Sequence, residues 1–524
     1  HTVICTEKNP LPFITGTICA HNCMSKCTRN FYETPVHIRE MKLKAAENGY
    51  EALLEKLPVP AVTKAGKAAV IGGGPAGMAA AYFLRKGGME VTLFEAKESL
   101  GGVVRHVIPP FRISEDAIEK DAEILRKMQV DIHCNTKLES LEELKKQGYT
   151  KIVLAVGAPV QGSLKLESGM PKNALEFLAE FKQTDGKVSL GKHVVVIGGG
   201  NTAMDTARAA KRNAGVEHVY LIYRRTRRYM PADEEELVMA LEDGVEFKEL
   251  LSPVKLENGQ LFCKVMQLSD YDVSGRRGVT ETGETVWVPA DTVIAAVGEK
   301  VPTDWYQANG LAVSEKGRLY VDEKTLKTSD DNVYAAGDGL YGPATVVEAI
   351  RDGRKVAEAI AGEVLACDFD KLAEEEKVYA KRGVLKEEQK ETKEAGRCLG
   401  CSTICENCVE VCPNRANIAI QVPGMEKHQI IHVDYLCNEC GNCKSFCPYS
   451  SAPYLDKFTL FETEADMENS KNQGFAVLDQ ETRRCKVRFF GKTFIWEPEK
   501  PAALPDGLGR MIETVCRDYS YLIR

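Results

Sequence analysis

The chain has 524 residues, 44% of them hydrophobic, and is long enough for several domains and a large core. Its net charge of -8 and its pI near 5.8 argue against binding to a nucleic-acid backbone as the main task. No apolar run approaches the about 18 residues of a membrane span, and the start shows neither a signal-peptide nor a transit-peptide pattern, so the sequence predicts a soluble protein; the cysteine spacing described next predicts a cytoplasmic one.

Eighteen cysteines are present, and their spacing is more informative than their number. Short spacings make poor disulfide frameworks in a chain of this size, whereas neighbouring thiolates can converge on one metal centre in a reducing compartment. Six cysteines are isolated and are predicted to be small buried apolar residues: Cys5, Cys134, Cys263, Cys367, Cys485 and Cys516. The other twelve form three groups: Cys19, Cys23 and Cys27; Cys398, Cys401, Cys405, Cys408 and Cys412; Cys437, Cys440, Cys443 and Cys447.

The N-terminal segment, residues 1–60, carries the first cysteine group and then a helical pattern. The helix formers lie in the stretch "IREMKLKAAENGYEALLEKL". Asn48 and Gly49 read as a stop signal before "PVPAV". We therefore predict a small helical cap.

From Ala68 the pattern becomes strand, glycine turn, helix and strand, in "AAVIGGGPAGMAAAYFLRKGGMEVTLFEA". Such a turn lets the backbone approach a pyrophosphate and points a helix N-terminus at it. Glu95 ends the second strand, where a carboxylate can accept from ribose hydroxyls. The predicted nucleotide-binding residues of this turn are Gly72, Gly74, Pro75, Ala76 and Gly77.

A second copy of the unit follows, in "HVVVIGGGNTAMDTARAAKRNAGVEHVYLIYRR". Its second strand ends in Arg224 and Arg225 instead of an acid, with Arg227 and Arg228 just beyond. Guanidinium groups pair with a 2'-phosphate, so this turn is predicted to bind NADPH; the alternative is a solvated basic loop. The remaining predicted residues of this site are Gly198, Gly200, Asn201, Thr202 and Ala203.

Two later runs, "TVIAAVG" and "NVYAAGDG", read as buried strands that end in glycine turns. Asp338, at the end of the strand in the second run, can bind hydroxyls of a flavin nucleotide, and the helix opening at "ATVVEAI" points its positive end at the flavin. The first turn is therefore predicted to hold FAD, with further contacts from Gly102, Gly157, Gly337 and Thr345. The predicted domains are an FAD domain at 61–190 and 301–366, interrupted by an NADPH domain at 191–300.

Residues 367–397 are heavily charged and are predicted to be a solvated helix or linker. A cysteine-rich domain is expected at 398–455. The last part, 456–524, contains a predicted hairpin, "CKVRFFGKTFIW", and a final helix, with no predicted chemistry.

The run "CNECGNCKSFCP" matches the bacterial ferredoxin pattern C-x2-C-x2-C-x3-C-P. In two-cluster ferredoxins the fourth cysteine of each run ligates the other cluster. Cys412 is therefore predicted to share one [4Fe-4S] cluster with Cys437, Cys440 and Cys443, and Cys447 to complete the second. A four-thiolate zinc site is the alternative.

The preceding run, "CLGCSTICENCVEVCP", has five cysteines where the pattern needs four. Counting back from Cys412 reaches Cys408 and Cys405 and then Ser402, so the register has gained one residue. Gly400 can absorb that residue in a turn, which makes Cys401 the first ligand and Cys398 the spare cysteine. The second cluster is predicted to bind Cys401, Cys405, Cys408 and Cys447.

Residues 8–365 resemble the flavoproteins with paired dinucleotide domains, such as the small subunit of glutamate synthase and the amino-terminal half of dihydropyrimidine dehydrogenase. The resembling stretches are "NPLPFITGTIC", "GGGPAGMAAAYFLRKGG", "GGVVRHVIPPFRI", "GGGNTAMD", "YRR...MPA" and "AAGD". Over its whole length, including "AGRCLGC...CPNRANIAI" and "YLCNECGNCKSFCPYSSAPYLDKF", the chain looks like the carboxy-terminal part of flavin and iron–sulfur subunits named as selenate reductases. That group resembles electron-input subunits that work beside molybdenum hydroxylases.

The resemblance implies that Cys19, Cys23 and Cys27 belong to a two-cluster unit whose other cysteines precede them. A [4Fe-4S] cluster normally needs four ligands, so the fourth would come either from residues before His1 or from Cys5. The predicted fold class is α/β: two Rossmann-like domains, the NADPH domain inserted in the FAD domain, with a helical N-terminal iron–sulfur segment and a C-terminal ferredoxin-like domain for two [4Fe-4S] clusters.

The sequence thus predicts an NADPH-dependent oxidoreductase that passes electrons through FAD and [4Fe-4S] clusters to another redox subunit, or to ferredoxin, in a hetero-oligomeric complex. The same cofactors could run as a ferredoxin:NADP+ oxidoreductase or an electron-bifurcating subunit. A disulfide reductase needs a C-x-x-C motif near the flavin, and residues 191–300 contain only Cys263. A non-catalytic iron–sulfur or zinc scaffold is the remaining alternative.

Overall fold

The computed structural model describes residues 7–27, 29, 34–271, 277–365, 394, 397–398, 405–425, 428–447, 451–498 and 504–524. The chain folds into two compact units. The first comprises His1–Ala20 and Arg39–Phe369, and the second His21–Ile38 and Asp370–Arg524. The N-terminal segment is therefore divided between both units.

The helices of the described residues include short one-turn pieces and long amphipathic elements. In chain order they are α1 (Pro12–Ile18), α2 (Asn22–Ser25), α3 (Ile38–Lys56), α4 (Pro75–Lys86), α5 (Val103–His106), α6 (Glu115–Lys127), α7 (Leu141–Lys146), α8 (Ala174–Gln183), α9 (Asn201–Arg212), α10 (Glu234–Glu242), α11 (Thr303–Ala308), α12 (Asp338–Tyr341), α13 (Val346–Ala361), α14 (Asn407–Glu410), α15 (Asn442–Ser445), α16 (Pro453–Asp456), α17 (Glu464–Asn469) and α18 (Asp506–Asp518).

The strands of the first unit are numbered in the same way. They are β1 (Lys67–Ile71), β2 (Glu90–Phe94), β3 (Asp131–His133), β4 (Tyr149–Leu154), β5 (Val160–Gln161), β6 (Lys172–Asn173), β7 (His193–Ile197), β8 (His218–Tyr223), β9 (Glu246–Glu249), β10 (Leu251–Glu257), β11 (Gln260–Tyr271), β12 (Arg277–Pro289), β13 (Thr292–Ala295), β14 (Glu299–Lys300) and β15 (Val333–Ala335).

Two parallel sheets organise the first unit, in the orders β15-β4-β1-β2-β3 and β6-β13-β7-β8-β9. Their central strands are apolar and buried, as parallel strands covered on both faces require. Because β15 returns to pair with β4, the whole second sheet lies within an interruption of the first. This is the predicted insertion of one Rossmann-like domain in another.

The second domain begins earlier than its predicted boundary at residue 191. β6 pairs with β13, and α8 buries Phe177 and Leu178 in the same core as Val194. An antiparallel sheet, β10-β11-β12, extends from this domain, and β5 pairs with β14. Helix α3 also differs from expectation, since it continues through Asn48 and Gly49 to Lys56 with Leu53 buried in the core.

The second unit contains a six-stranded mixed sheet in the order β16-β17-β18-β19-β20-β21. Its strands are β16 (Asn417–Ile420), β17 (Gln429–Val433), β18 (Thr459–Phe461), β19 (Gly474–Asp479), β20 (Arg484–Phe489) and β21 (Lys492–Trp496). The predicted hairpin is β20–β21, and the predicted final helix is α18. Because β17 pairs with β18, the sheet and its core continue across the predicted boundary at residue 455.

Most of the predicted charged linker, like Cys5, Cys367 and Cys401, lies outside the described residues. The two described linker residues, Glu394 and Arg397, are buried, contrary to the prediction of a solvated segment. Among the isolated cysteines that the structure describes, Cys263, Cys485 and Cys516 are buried and Cys134 is half-buried. No helix of the described ranges combines the length and the apolarity needed to cross a bilayer.

Candidate cofactor sites

The first glycine turn lies between β1 and α4 and is shaped by close backbone packing. Gly72 has φ +106°, and a Cβ added to it would lie 2.3 Å from the Ala155 oxygen. A Cβ on Gly77 would lie 1.8 Å from the Gly72 oxygen, so neither position accepts a side chain. Around Gly74 the nearest atom to such a Cβ belongs to the backbone of Gly102, at 3.8 Å, which leaves room for a ligand beside the turn.

Glu95 follows β2 and braces this turn. One oxygen of its buried carboxylate accepts from the Gly73 N–H at 2.6 Å, and the other accepts from the Lys97 N–H at 2.8 Å. Helix α4 begins after Gly74 without a side-chain cap, so its first amides are available to an anionic ligand. The acid and the helix N-terminus therefore lie on one turn, as predicted.

The returning part of the domain packs against the same turn. A Cβ on Gly337 would lie 2.6 Å from the Ala76 Cβ, because α13 and the turn before α12 pack on α4. A Cβ on Gly339 would lie 3.1 Å from the Gly157 oxygen. Residues that are far apart in the sequence, such as Ala76 and Gly337, thus meet at one edge of the first sheet.

Asp338 and Thr345 complete this edge. The Asp338 carboxylate accepts from the Ala344 N–H at 3.0 Å, and burial raises its pKa to about 6, with Glu299 among the carboxylates that add to the effect. Thr345 and Glu348 form a capping box at the start of α13. The structure brings together the predicted residues of the first site: Gly72, Gly74, Pro75, Ala76, Gly77, Glu95, Gly102, Gly157, Gly337, Asp338 and Thr345.

The second glycine turn, between β7 and α9, has the same backbone packing but a different neighbour. A Cβ on Gly198 would lie 2.4 Å from the Ala296 oxygen, whereas one on Gly200 would meet no atom within 4 Å. Where the first turn has a carboxylate, this one has the Tyr223 ring packed against Gly199. Asn201, at the start of α9, accepts from the Asp233 N–H at 2.9 Å.

A cleft of about 560 Å³ lies beyond β8, close to this turn. Its lining residues are Thr226, Arg227, Arg228, Met230, Ala232, Glu234, Leu237 and Glu249. Of the two arginines predicted to bind the 2'-phosphate, Arg224 is exposed outside this lining, and Arg225 is buried with its Nε donating to the Arg277 oxygen at 2.7 Å. The arginines that line the cleft are Arg227 and Arg228, which the sequence placed just beyond Arg224 and Arg225 without predicting them as ligands.

A buried ionic cluster links the two Rossmann-like domains, and sequence reasoning missed it. Arg112, from the first domain, pairs with Asp205 at 3.3 Å and with Glu236 in the second. Burial raises the pKa of Asp205 to about 6, although the charge of Arg112 opposes that effect. Phe111 lies 4.3 Å from the Arg212 guanidinium. The only sequence signal for this cluster was that Arg112 and Asp205 each lie in one of the stretches that resemble the paired-domain flavoproteins.

Four cysteines of the second unit line one cleft. Cys412, from the first ferredoxin-like run, lines it together with Cys437, Cys440 and Cys443 from the second. The cavity volume of this cleft is about 10 Å³, against about 560 Å³ for the cleft near the second turn. These are the four residues predicted to share one cluster, and four thiolates are the ligand set that a [4Fe-4S] centre uses.

Cys408 lies directly behind this cleft. It packs with Cys443 and Ile430 in one small apolar cluster, so ligands predicted for the two different centres are neighbours. Burial raises the pKa of the Cys408 thiol to about 11, and a bound metal would be needed to hold it as a thiolate. Within the described ranges, no three His, Cys, Asp or Glu side chains converge on a single metal ion.

The remaining predicted ligands are less closely grouped. Cys405 and Cys447 are partly buried in the second unit. In the N-terminal segment, Cys19 directly follows α1, and Cys23 lies within α2. Helix α1 is held by the buried carboxylate of Asp121, which accepts the N–H groups of its first turn.

Comparison with known proteins identifies the larger unit. The model of the family described as pyridine nucleotide-disulphide oxidoreductase matches residues 66–353, more than half of the chain. The chain belongs to this family. Its membership confirms the predictions of an oxidoreductase and of α/β dinucleotide domains, and the pyridine nucleotide-disulphide oxidoreductase fold is the one built here from the two parallel sheets.

Three proteins of Escherichia coli K12 are similar to this chain. "Putative oxidoreductase YgfK" is 40% identical over 92% of this chain and 48% of its own length, so the chain spans about half of that relative. The small chain of NADPH glutamate synthase is 33% identical over 68% of this chain and 81% of its own. The NAD-dependent dihydropyrimidine dehydrogenase subunit PreT is 31% identical over 68% and 82%. These names confirm the predicted family and do not include a selenate reductase.

Proposed function

We propose that the protein is an NADPH-dependent flavin and iron–sulfur electron-transfer subunit that delivers electrons to another redox protein. The observation that carries the proposal is the meeting of Cys412 with Cys437, Cys440 and Cys443 in one cleft of a chain that also has two dinucleotide turns. A nicotinamide supplies two electrons as hydride and iron–sulfur centres accept them singly, and a bound flavin supplies the conversion between both.

The first turn would hold FAD through its backbone. The amides at the start of α4 are available to the pyrophosphate, and Glu95 lies where a ribose would reach it. The capped N-terminus of α13 places a positive helix end beside Asp338. These groups bind and orient; none of them is required to transfer a proton.

The second turn would hold NADPH, with the 2'-phosphate in the arginine-lined cleft. Arg227 and Arg228 line that cleft, and its volume lies within the range of small-molecule sites. Arg227 already pairs with Glu234 at 2.9 Å, so a phosphate would compete with this carboxylate. Since related proteins are named for NAD and for NADPH, the choice must depend on such residues.

The thiolates would hold two [4Fe-4S] centres in the second unit and one or two in the N-terminal segment. Electron transfer to a partner in a hetero-oligomeric complex agrees with the names of the relatives, which are chains or subunits of larger enzymes. A molybdenum hydroxylase or reductase, another flavin or iron–sulfur subunit, and ferredoxin are the partner classes. No residue identifies selenate or any other terminal substrate.

The test is anaerobic purification of the full chain, followed by quantification of flavin, iron and sulfide and by titration with NADPH and NADH. NADPH should bleach the flavin absorbance and then produce EPR signals of reduced clusters. The variant Cys412→Ser should keep the flavin reduction and lose one cluster signal. Reduction by NADH but not NADPH would refute the nucleotide assignment.

The same titration separates the other candidates. A non-catalytic scaffold would contain metal but show no nucleotide-dependent bleaching. A zinc site would yield zinc in place of iron and sulfide. Operation as a ferredoxin:NADP+ oxidoreductase or a bifurcating subunit would appear as faster NADP+ reduction by reduced ferredoxin, or as simultaneous reduction of two acceptors of different potential.

A further inference from the structure

Two cysteines that are distant in the sequence, Cys27 and Cys398, flank a buried junction of the second unit. Arg29 follows Cys27 by two positions, and Arg397 directly precedes Cys398. The Arg29 Nε donates a hydrogen bond to the backbone oxygen of Arg397 at 2.7 Å. Both arginines are buried, with exposed fractions of 0% and 1%. The chain segments that carry the two cysteines are therefore joined side by side.

Further contacts fasten this junction. The Arg397 guanidinium donates to the Thr34 oxygen at 2.7 Å and pairs with Glu394 at 2.6 Å. The Glu394 carboxylate also accepts the His37 N–H at 3.1 Å. Buried charges are retained where partners fix their geometry, so this is a built contact and not a chance approach. It holds the chain after the N-terminal cysteines against the chain just before Cys398.

The two segments have complementary needs. The resemblance implies that the N-terminal cysteines share their centres with ligands from outside their own run, and Cys398 has no place in the ferredoxin-like register. We propose that Cys398 is a ligand of the N-terminal iron–sulfur centre, together with Cys23 and Cys27. The inference rests on the proposed function.

Binding would release the thiol proton of Cys398 as its sulfur bonds to iron, with no change in its oxidation state. The test uses the anaerobically reconstituted full chain with iron, sulfide and EPR signals counted per chain. Cys398→Ala and Cys27→Ala should each remove one centre, and the double variant should lose no more than either. Cys134→Ala, a half-buried cysteine outside all three groups, is the matched control.

Each contrary outcome is distinct. Loss of two centres in the double variant would place Cys398 in the ferredoxin-like pair, and an undiminished iron content of Cys398→Ala would show that it is no ligand. Loss of the N-terminal centre in Cys5→Ala, with Cys398→Ala intact, would assign the ligand to Cys5 instead. Absence of iron–sulfur centres from the unmutated chain would refute the proposed function itself.

An independent observation concerns a buried polar pair behind the cysteine cleft. The Asn417 side chain donates to the Cys408 oxygen at 3.0 Å, and its Oδ1 lies 3.1 Å from the His432 Nδ1. Asn417 and His432 are 1% and 2% exposed, and burial lowers the pKa of His432 to about 4, so its ring is neutral. Asn417 also lines the cleft of Cys412.

Asn417 therefore contacts the turn of one predicted centre and the wall of the other. We infer that Asn417 is a positioning residue that sets the reduction potentials of both centres through the Cys408 turn. Potentials of iron–sulfur centres depend on nearby charge, hydrogen bonds and solvent exposure, so a polar side chain between two centres affects each of them. This inference also rests on the proposed function.

An EPR-monitored redox titration of the reconstituted chain tests it. Asn417→Ser should retain the iron content and shift the midpoint potentials, and Asn417→Asp should make both potentials more negative because it adds a charge. His432→Gln, which keeps a donor for Asn417, should change them less. Unchanged potentials in Asn417→Ser would overturn the inference, whether or not Asn417→Asp retains its iron.

Discussion

The first glycine turn is closed by a carboxylate that binds its own backbone, whereas the second is followed by a tyrosine and an arginine-lined cleft. The backbone packing is nearly the same. A Cβ added to the first glycine would lie 2.3 Å from a neighbouring carbonyl oxygen in the first turn and 2.4 Å from one in the second. The difference lies after the second strand, in Glu95 and in Arg227 and Arg228. One supersecondary unit is therefore used twice, and we propose that a few side chains at one strand end select its ligand.

The largest effect should appear on adding a methyl group at the third position of the first turn, Gly77, where the second turn already has Ala203. In Gly77→Ala the new Cβ would lie 1.8 Å from the Gly72 oxygen, so α4 must move, and we expect the unfolding free energy to fall by about 1–3 kcal/mol or more. Flavin content should fall with it. In Gly200→Ala the Cβ meets no atom within 4 Å, so thermal stability should be unchanged and only NADPH binding weakened. An equal loss of stability in Gly77→Ala and Gly200→Ala would contradict the difference in packing around these two glycines.

The arginines of the second turn should separate into binding and structural groups. We expect Arg228→Ala to weaken NADPH binding by about 10- to 100-fold and to leave NADH binding unchanged, since a charge-assisted hydrogen bond to the phosphate is lost. Arg225→Ala should chiefly lower stability, because Arg225 is buried against Arg277. Nucleotide titrations check both, with the exposed Arg318→Ala as control. If Arg225→Ala instead weakened the binding of NADPH but not of NADH, the prediction that Arg225 binds the 2'-phosphate would be supported.

Glu95→Gln should test the carboxylate of the first turn. The amide has one oxygen to accept hydrogen bonds, so one of the Gly73 and Lys97 contacts is weakened, at a cost of about 1 kcal/mol. Flavin retention after gel filtration and the melting temperature report the effect. Glu90→Gln, at the exposed start of the same strand, is the matched control and should change neither. Full flavin retention in Glu95→Gln would show that the carboxylate does not contribute to binding.

The smallest expected effect is a gain. Glu234→Gln removes the carboxylate that pairs with Arg227 at 2.9 Å, and an exposed pair of this kind contributes little to stability. NADPH affinity should rise by about twofold to fivefold, with no change in melting temperature. A fall in NADPH affinity would mean that the carboxylate orients Arg227 for the phosphate.

Tertiary structure changed the interpretation wherever distant segments meet. The sequence placed Arg225 in the nucleotide site, but its partner is a carbonyl on β12, which local patterns do not indicate. It ended α3 at Asn48 and Gly49, yet burial of Leu53 carries the helix on to Lys56. Likewise, a boundary at residue 455 looked natural until β17 and β18 paired across it.

By itself, the sequence determined both glycine turns, the strands before and after them, and the set of cysteines that line the cleft of the second unit. These features follow from steric rules at glycine and from short spacings, which act within a few residues. Only the tertiary structure decided the direction of Arg225, the linkage of Arg112 to Asp205 and the junction of Arg29 with Arg397. Such contacts depend on which buried groups find partners across the fold, and that is a property of the whole chain.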